Sequence, residues 1–170
     1  MKKKKCFIII SFIALLTIVI AIFLIISYGP PISYDKSILA ENQDRFESAA
    51  NICMDYHKES TDDNDVWLFS VDIDNNKLFC YNNNGHHCYS MTQEQKQIFS
   101  DVKSVFRLDH HGLEYLYVND YFVSFGINNG RCSFIYSPYN KKPDFVNSPE
   151  FDESNIYVEK IMDNWFYACK

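Results

Sequence analysis

The sequence predicts an α+β protein, with an N-terminal transmembrane helix followed by one antiparallel sheet and two helices packed on one face. Three observations predict it. A long apolar run sits near the start. Two later segments repeat apolar residues at the helical period of 3.6. Most of the remaining length is short β-forming runs separated by polar turns. Strands gathered in series, rather than alternating with helices, point to a layered antiparallel core and not to a parallel sheet.

The apolar run extends from Cys6 to Tyr28 and is broken only by Ser11, Thr17 and Ser27. At about 1.5 Å per residue such a run spans a hydrocarbon core of about 30 Å. A cleaved secretory signal has a shorter apolar region ending in a small-residue site, and no such site follows here. Lys2 to Lys5 precede the run and no further charge occurs before Asp35, so the N-terminus is expected in the cytoplasm. Gly29-Pro30-Pro31 ends the helix, because proline cannot donate a backbone hydrogen bond. The expected organisation is a basic tail at 1–5, a transmembrane helix at 6–28, a linker at 29–34 and an extracytoplasmic α+β domain at 35–170.

The domain opens with a helix from Asp35 to Ser60, whose inner face carries Ile38, Leu39, Phe46, Ala49, Ala50, Ile52 and Cys53. After the polar run at 61–65, Val66 to Ile73 and Lys77 to Tyr81 read as strands joined by Asp74-Asn75-Asn76. A three-residue loop at 83–85, with Gly85 left-handed, continues this hairpin. Thr92 and Gln95 have capping-box spacing ahead of a helix that runs to Arg107 on Ile98, Val102, Val105 and Phe106. Strands follow at Leu113–Val118, Tyr121–Ile127 and Arg131–Ser137. A terminal hairpin is expected from Ile156–Ile161 and Trp165–Cys169, turning at Met162-Asp163-Asn164.

The last quarter of the chain carries Phe134-Ile135-Tyr136-Ser137, a Lys-Lys-Pro turn at 141–143, Val158-Glu159-Lys160-Ile161 and Asp163-Asn164-Trp165-Phe166-Tyr167. This pattern, confined to residues 130–170, resembles uncharacterised small envelope-anchored proteins of low-GC Gram-positive bacteria. The resemblance implies a class and a location. It implies no activity and no catalytic residue.

Charge excludes one broad class. The four opening lysines leave 12 of the 16 Lys and Arg in the rest of the chain, against all 22 Asp and Glu, a formal charge of −10 there. A nucleic-acid partner needs a basic stripe and is not expected. There is no G-x-S-x-G, Walker or dinucleotide-binding motif, so no catalytic residue is assigned and an enzyme is not expected. No cofactor is expected either.

Of the six cysteines, Cys6 lies in the apolar run, leaving Cys53, Cys80, Cys88, Cys132 and Cys169 outside it. A three-residue loop at 83–85 sets Cys80 opposite Cys88, the candidate disulfide. The competing reading has reduced cysteines acting as small apolar residues. His86-His87 and His110-His111, with Cys80 and Cys88, supply nitrogen and sulfur ligands of the kind zinc takes, but no recognised ligand spacing accompanies them. Asp72-Ile73-Asp74-Asn75-Asn76 begins like a calcium loop. It then places Lys77 where glycine is needed, and a hairpin turn accounts for it better.

Aromatic residues crowd the predicted sheet, and Tyr115, Tyr117, Tyr121, Trp165 and Tyr167 are the candidates for an exposed binding face. The competing reading makes them cross-strand pairs that stabilise the sheet. The expected function is a non-enzymatic binding module at the cell surface, held by its single membrane span and engaging a protein or cell-envelope partner. Two alternatives stand beside it. One is a small metal- or thiol-dependent enzyme built on the histidine pairs, for example with Cys132 as nucleophile. The other is an immunity-type protein that binds a toxin.

Overall fold

Asn42 divides the first helical segment. Its side-chain amide donates to the Ile38 carbonyl at 2.8 Å, and its own carbonyl accepts from the Phe46 amide at 3.2 Å. Asparagine competes with helical backbone bonding in this way. One helix therefore ends as α1 (Lys36–Glu41) and another begins as α2 (Gln43–Ser60), where a single helix was expected.

In the computed structural model, residues 15–18, 36–60, 67–82, 85–106, 113, 115–127, 131–143 and 156–169 are described. The chain divides into two compact units, 1–32 and 33–170. In the first unit the four residues 15–18 are helical, with Leu15, Leu16 and Ile18 exposed. The rest of the expected transmembrane segment lies outside the described residues, among which no helix is long and apolar enough to cross a membrane.

The second unit is α+β. Its strands are β1 (Trp67–Asp72), β2 (Lys77–Asn82), β3 (Gly85–Ser90), β4 (Leu116–Val118), β5 (Val123–Ile127), β6 (Cys132–Tyr136), β7 (Tyr157–Met162) and β8 (Trp165–Cys169). They form one eight-stranded sheet in the order β3-β2-β1-β4-β5-β6-β8-β7, and every neighbouring pair is antiparallel. Between β3 and β4 the chain passes through α3 (Gln93–Phe106), which returns it from the sheet edge to the far side of β1.

The expected capping box is present at the start of α3. The Gln95 amide donates to Thr92 Oγ1 at 3.2 Å, and the Thr92 amide donates to Gln95 Oε1 at 2.9 Å. The acidic string after β1 is a turn. Asp72 accepts from the Asn75 amide and side chain, which holds its carboxyl below the usual carboxylate range, and Asn76 takes a left-handed φ of 59°. Lys77 then pairs with Asp72 across the hairpin.

Register divides the sheet into two faces. Trp67, Phe69, Leu116, Phe125, Phe134 and Trp165 share one face, and all are buried. Phe46 of α2 is central to that layer. Its ring meets Phe125, Phe134, Trp165 and, from α3, Phe106, all edge-on with centroids 5.3–6.2 Å apart. Such pairs add to the energy of area burial because ring edge and ring face carry opposite partial charge. Tyr136, on the same face, donates its hydroxyl to Glu47 at 3.2 Å, and burial together with that carboxylate pushes the phenol up to about 12.

The opposite face has a second, smaller cluster of Phe122, Ile135, Phe166 and Ala168, flanked by Ile156 and Val158. The sheet is thus buried on both faces at β5, β6 and β8. An expectation of one packed and one open face holds only toward β1, β2 and β3.

Candidate functional site

One cross-strand row runs over the face opposite the helices: His86, Tyr81, Leu68, Tyr117, Ser124, Ile135, Phe166 and Lys160. It is exposed at His86 and Tyr81, half-buried at Leu68 and Tyr117, and buried from Ser124 to Phe166. Tyr81 stacks on Phe79 and on His86, at 6.4 and 6.3 Å. Of the five residues expected to form one binding face, only Tyr117 lies in this row. Trp165 and Tyr167 point to the helix side, because they pair with Tyr136 and Phe134 of that face. Trp165 is fully buried there against Phe46, and Lys36 sits 5.4 Å over the Tyr167 ring. Tyr115 and Tyr121 are exposed and flank β4 at its two ends. The single aromatic platform is therefore replaced by separate exposed tyrosines, since period-two alternation sends the strand aromatics to both faces.

Tyr121 belongs to a pocket of about 230 Å³ at the end of the sheet where β4 turns into β5 and the chain leaves β6. Phe122, Ser137 and Pro143 are its buried members, and Tyr121 and Tyr139 stand exposed at 58% and 60%. Asn119, Lys141 and Lys142 complete it. Both tyrosine-bearing turns are held by short polar bonds. Asn119 Oδ1 accepts from the amides of Tyr121 and Phe122, each at 2.8 Å. The Ser137 amide donates to Asn164 O at 2.7 Å, and the Asn140 amide donates to Ser137 O at 2.9 Å. The Asn164 amide donates in turn to Asn140 Oδ1 at 3.1 Å, and both asparagines have positive φ. Asparagine tolerates that conformation because its short polar side chain bonds locally. Ser137 is only 2% exposed.

No family model, curated protein or solved structure matches the chain.

The cysteines are arranged differently from expectation. Asn82 pairs with Gly85, so the hairpin closes with one residue fewer than the three-residue loop requires. That single step places Cys88 opposite Phe79 and sets His87 opposite Cys80. Cys80 and Cys88 consequently project from opposite faces, one buried and one exposed, and both are free. A one-residue change of register reverses every side chain in this way. The disulfide joins Cys132 to Cys169, which face each other across β6 and β8. Cys132 is thereby removed as a nucleophile. Cys53 is free and buried on α2; burial, and then Cys80, raise its thiol well above the ordinary value. Burial, and then Cys88, push Cys80 up to about 12, so neither buried thiol ionises at neutral pH.

The histidines of β3 are ring partners. His86 stacks on Tyr81, while His87 lies flat over Trp67 at 5.6 Å with 15° between the planes. His110 and His111 lie outside the described residues, so the shared site proposed for the two pairs has no described geometry. Among the described residues, no group of three or more His, Cys, Asp or Glu side chains is placed to hold a metal. Among the described residues the buried histidine is His57, not singled out by the sequence, with Nδ1 3.3 Å from Asp120 Oδ1 and its ring edge-on to Trp67.

Sequence reasoning selected Tyr121 but missed Ser137, Lys141 and Lys142. The available signal was the polar Pro138-Tyr139-Asn140 turn next to two lysines in a chain region of opposite net charge.

Proposed function

We propose that the chain is a single-pass membrane protein whose domain stands outside the membrane and acts as a non-enzymatic binding module for a cell-envelope component. One observation carries this reading. Within the described part of unit 33–170, the exposed large apolar side chains are all tyrosines: Tyr81, Tyr115, Tyr121, Tyr139 and Tyr157. Tyrosine presents a wide ring and a polar tip with only two side-chain torsions to immobilise, so it is enriched where proteins bind partners.

Other features support the location. The apolar run at 6–28 and the lysines before it have the length and charge asymmetry of a signal anchor. The resemblance of residues 130–170 to envelope-anchored proteins agrees with it. The Cys132–Cys169 disulfide suits an oxidising compartment outside the cytoplasm.

The test is cosedimentation of the full chain, in detergent, with delipidated cell envelope. Wild type is expected in the pellet. Replacing Tyr81, Tyr121 and Tyr139 together by serine is expected to lower the bound fraction at least about tenfold, as loss of aromatic hot spots does. A triple variant that pellets like wild type sinks the reading.

A further inference from the structure

The geometry points to the pocket between Tyr121 and Tyr139 as a binding site for an anionic monosaccharide unit, one sugar ring bearing a carboxylate or a phosphate. This rests on the binding-module reading and names the chemistry it recognises.

Four observations converge on that ligand. The first is size. A pocket of about 230 Å³ lies between a cavity that holds benzene, about 150 Å³, and the lower limit for drug-sized molecules, about 300 Å³. It takes one ring. The second is charge. Lys141 and Lys142 both line this pocket, in a chain region whose formal charge is otherwise strongly negative. Lysine binds carboxylate or phosphate as a point charge, and two lysines fall short of the cluster of four to eight that reads as a lipid-surface site.

The third observation is a polar group in the wall. Ser137 is 98% buried and lines the pocket. A hydroxyl in a pocket wall both donates and accepts, and so can fix the orientation of a ligand hydroxyl. The fourth is the missing ladder. An extended acidic peptide binds most readily by adding to a free strand edge. Here β5 lies between β4 and β6, and β6 lies between β5 and β8, so neither strand beside the pocket has an open edge. A compact ring needs none.

The walls are set before the ligand arrives. Asn119 fixes the turn that carries Tyr121, while Asn140 and Asn164 fix the turn that carries Tyr139. Fixed walls reduce the ordering cost of binding, so selectivity comes from the rim and not from closure.

Saturation-transfer NMR of the full chain in detergent tests the inference, with glucuronate, glucose 6-phosphate, glucose and tetraglutamate as probes. At least one anionic sugar is expected to bind, with a dissociation constant of about 1 mM and about tenfold or more tighter than glucose. The two anionic probes separate carboxylate from phosphate recognition. Lys141→Gln with Lys142→Gln is expected to reduce the anionic sugar to the level of glucose. Tyr139→Ala is expected to weaken every sugar, and Ser137→Ala to cost about threefold to tenfold. The lysines and Tyr139 are exposed, so these variants keep the fold even where the serine variant does not.

The inference is overturned if neither anionic sugar exceeds glucose, if the double lysine variant binds unchanged, or if tetraglutamate binds as well as the sugars. Envelope cosedimentation separates the two claims. Envelope binding that persists without sugar binding ends this inference and leaves the module reading standing; sugar binding without envelope binding does the reverse.

Discussion

Cysteine chemistry is where single residues diverge most sharply in this domain. Cys88 is exposed on β3, whereas Cys53 and Cys80 are buried on the helix-packed side with thiols held neutral by burial. The thiolate is the reactive species, so exposure and charge both predict selective modification. Iodoacetamide at pH 8 is expected to label Cys88 in the native domain, and to reach Cys53 and Cys80 only after denaturation, as read by peptide mass spectrometry. Native labelling of Cys80 at the rate of Cys88 would contradict the burial. Phe46 is the packing counterpart. It meets four aromatic rings, so Phe46→Ala leaves a cavity that backbone relaxation fills poorly, with an expected loss of about 3–5 kcal/mol in urea unfolding. Periodicity already placed Phe46 on the inner face. The Cys132–Cys169 pair was not legible, because it depends on β8 inserting between β6 and β7, a long-range choice that local spacing does not encode.

Elements were legible in proportion to how local their signals are. The capping box at Thr92 and Gln95 is a four-residue pattern and appears with both of its bonds. Thr92→Ala removes the acceptor for the Gln95 amide and is expected to cost about 1 kcal/mol, measured by urea unfolding; no change would mean that water replaces the cap without loss. The strands were legible from β-branched and aromatic runs, and their turns from Asn, Asp and Gly. The split at Asn42 was missed because apolar periodicity continues through it: Leu39 and Phe46 are both buried. The register of β2 against β3 was missed because Asn83-Asn84-Gly85 suits loops of two or three residues equally well. Gly85 does need its freedom, with φ at +152°, but as the first residue of β3 and not inside the loop. The pocket stayed hidden for a related reason. Its lining comes from the β4–β5 turn and from the segment after β6, two stretches that only sheet pairing brings together.

At the scale of the whole domain, both ends of the described part of unit 33–170 meet at one edge of the sheet. Lys36, in α1, pairs with Glu159 of β7, and Tyr157 donates its hydroxyl to the same carboxylate at 2.7 Å. Tyr157 sits opposite Cys169, whose disulfide ties β8 to β6. The residues that follow the expected linker are thus fastened to the last hairpin, which is itself cross-linked to the centre of the sheet. This geometry makes the attachment of α1 sensitive to acid. The Lys36 hydrogen bond, then that of Tyr157, hold the Glu159 carboxyl below its ordinary value of 4.5. A carboxyl group with a depressed folded value stabilises the native state above its unfolded value, and that stabilisation is lost as pH falls through the folded one. Amide exchange in 36–41, corrected for its intrinsic pH dependence, is therefore expected to be constant above about pH 5 and to rise as pH falls below 4. Exchange in β5 and β6, whose ladders have neighbours on both sides, is expected to stay slow over the same range. Glu159→Gln is expected to show the faster exchange of α1 at every pH and to lose the acid step. A step that persists in Glu159→Gln would assign it to other carboxylates, of which Asp72 and Asp163 are also held low by their own hydrogen bonds, and would leave α1 fastened by contacts other than this ion pair, the burial of Leu39 among them.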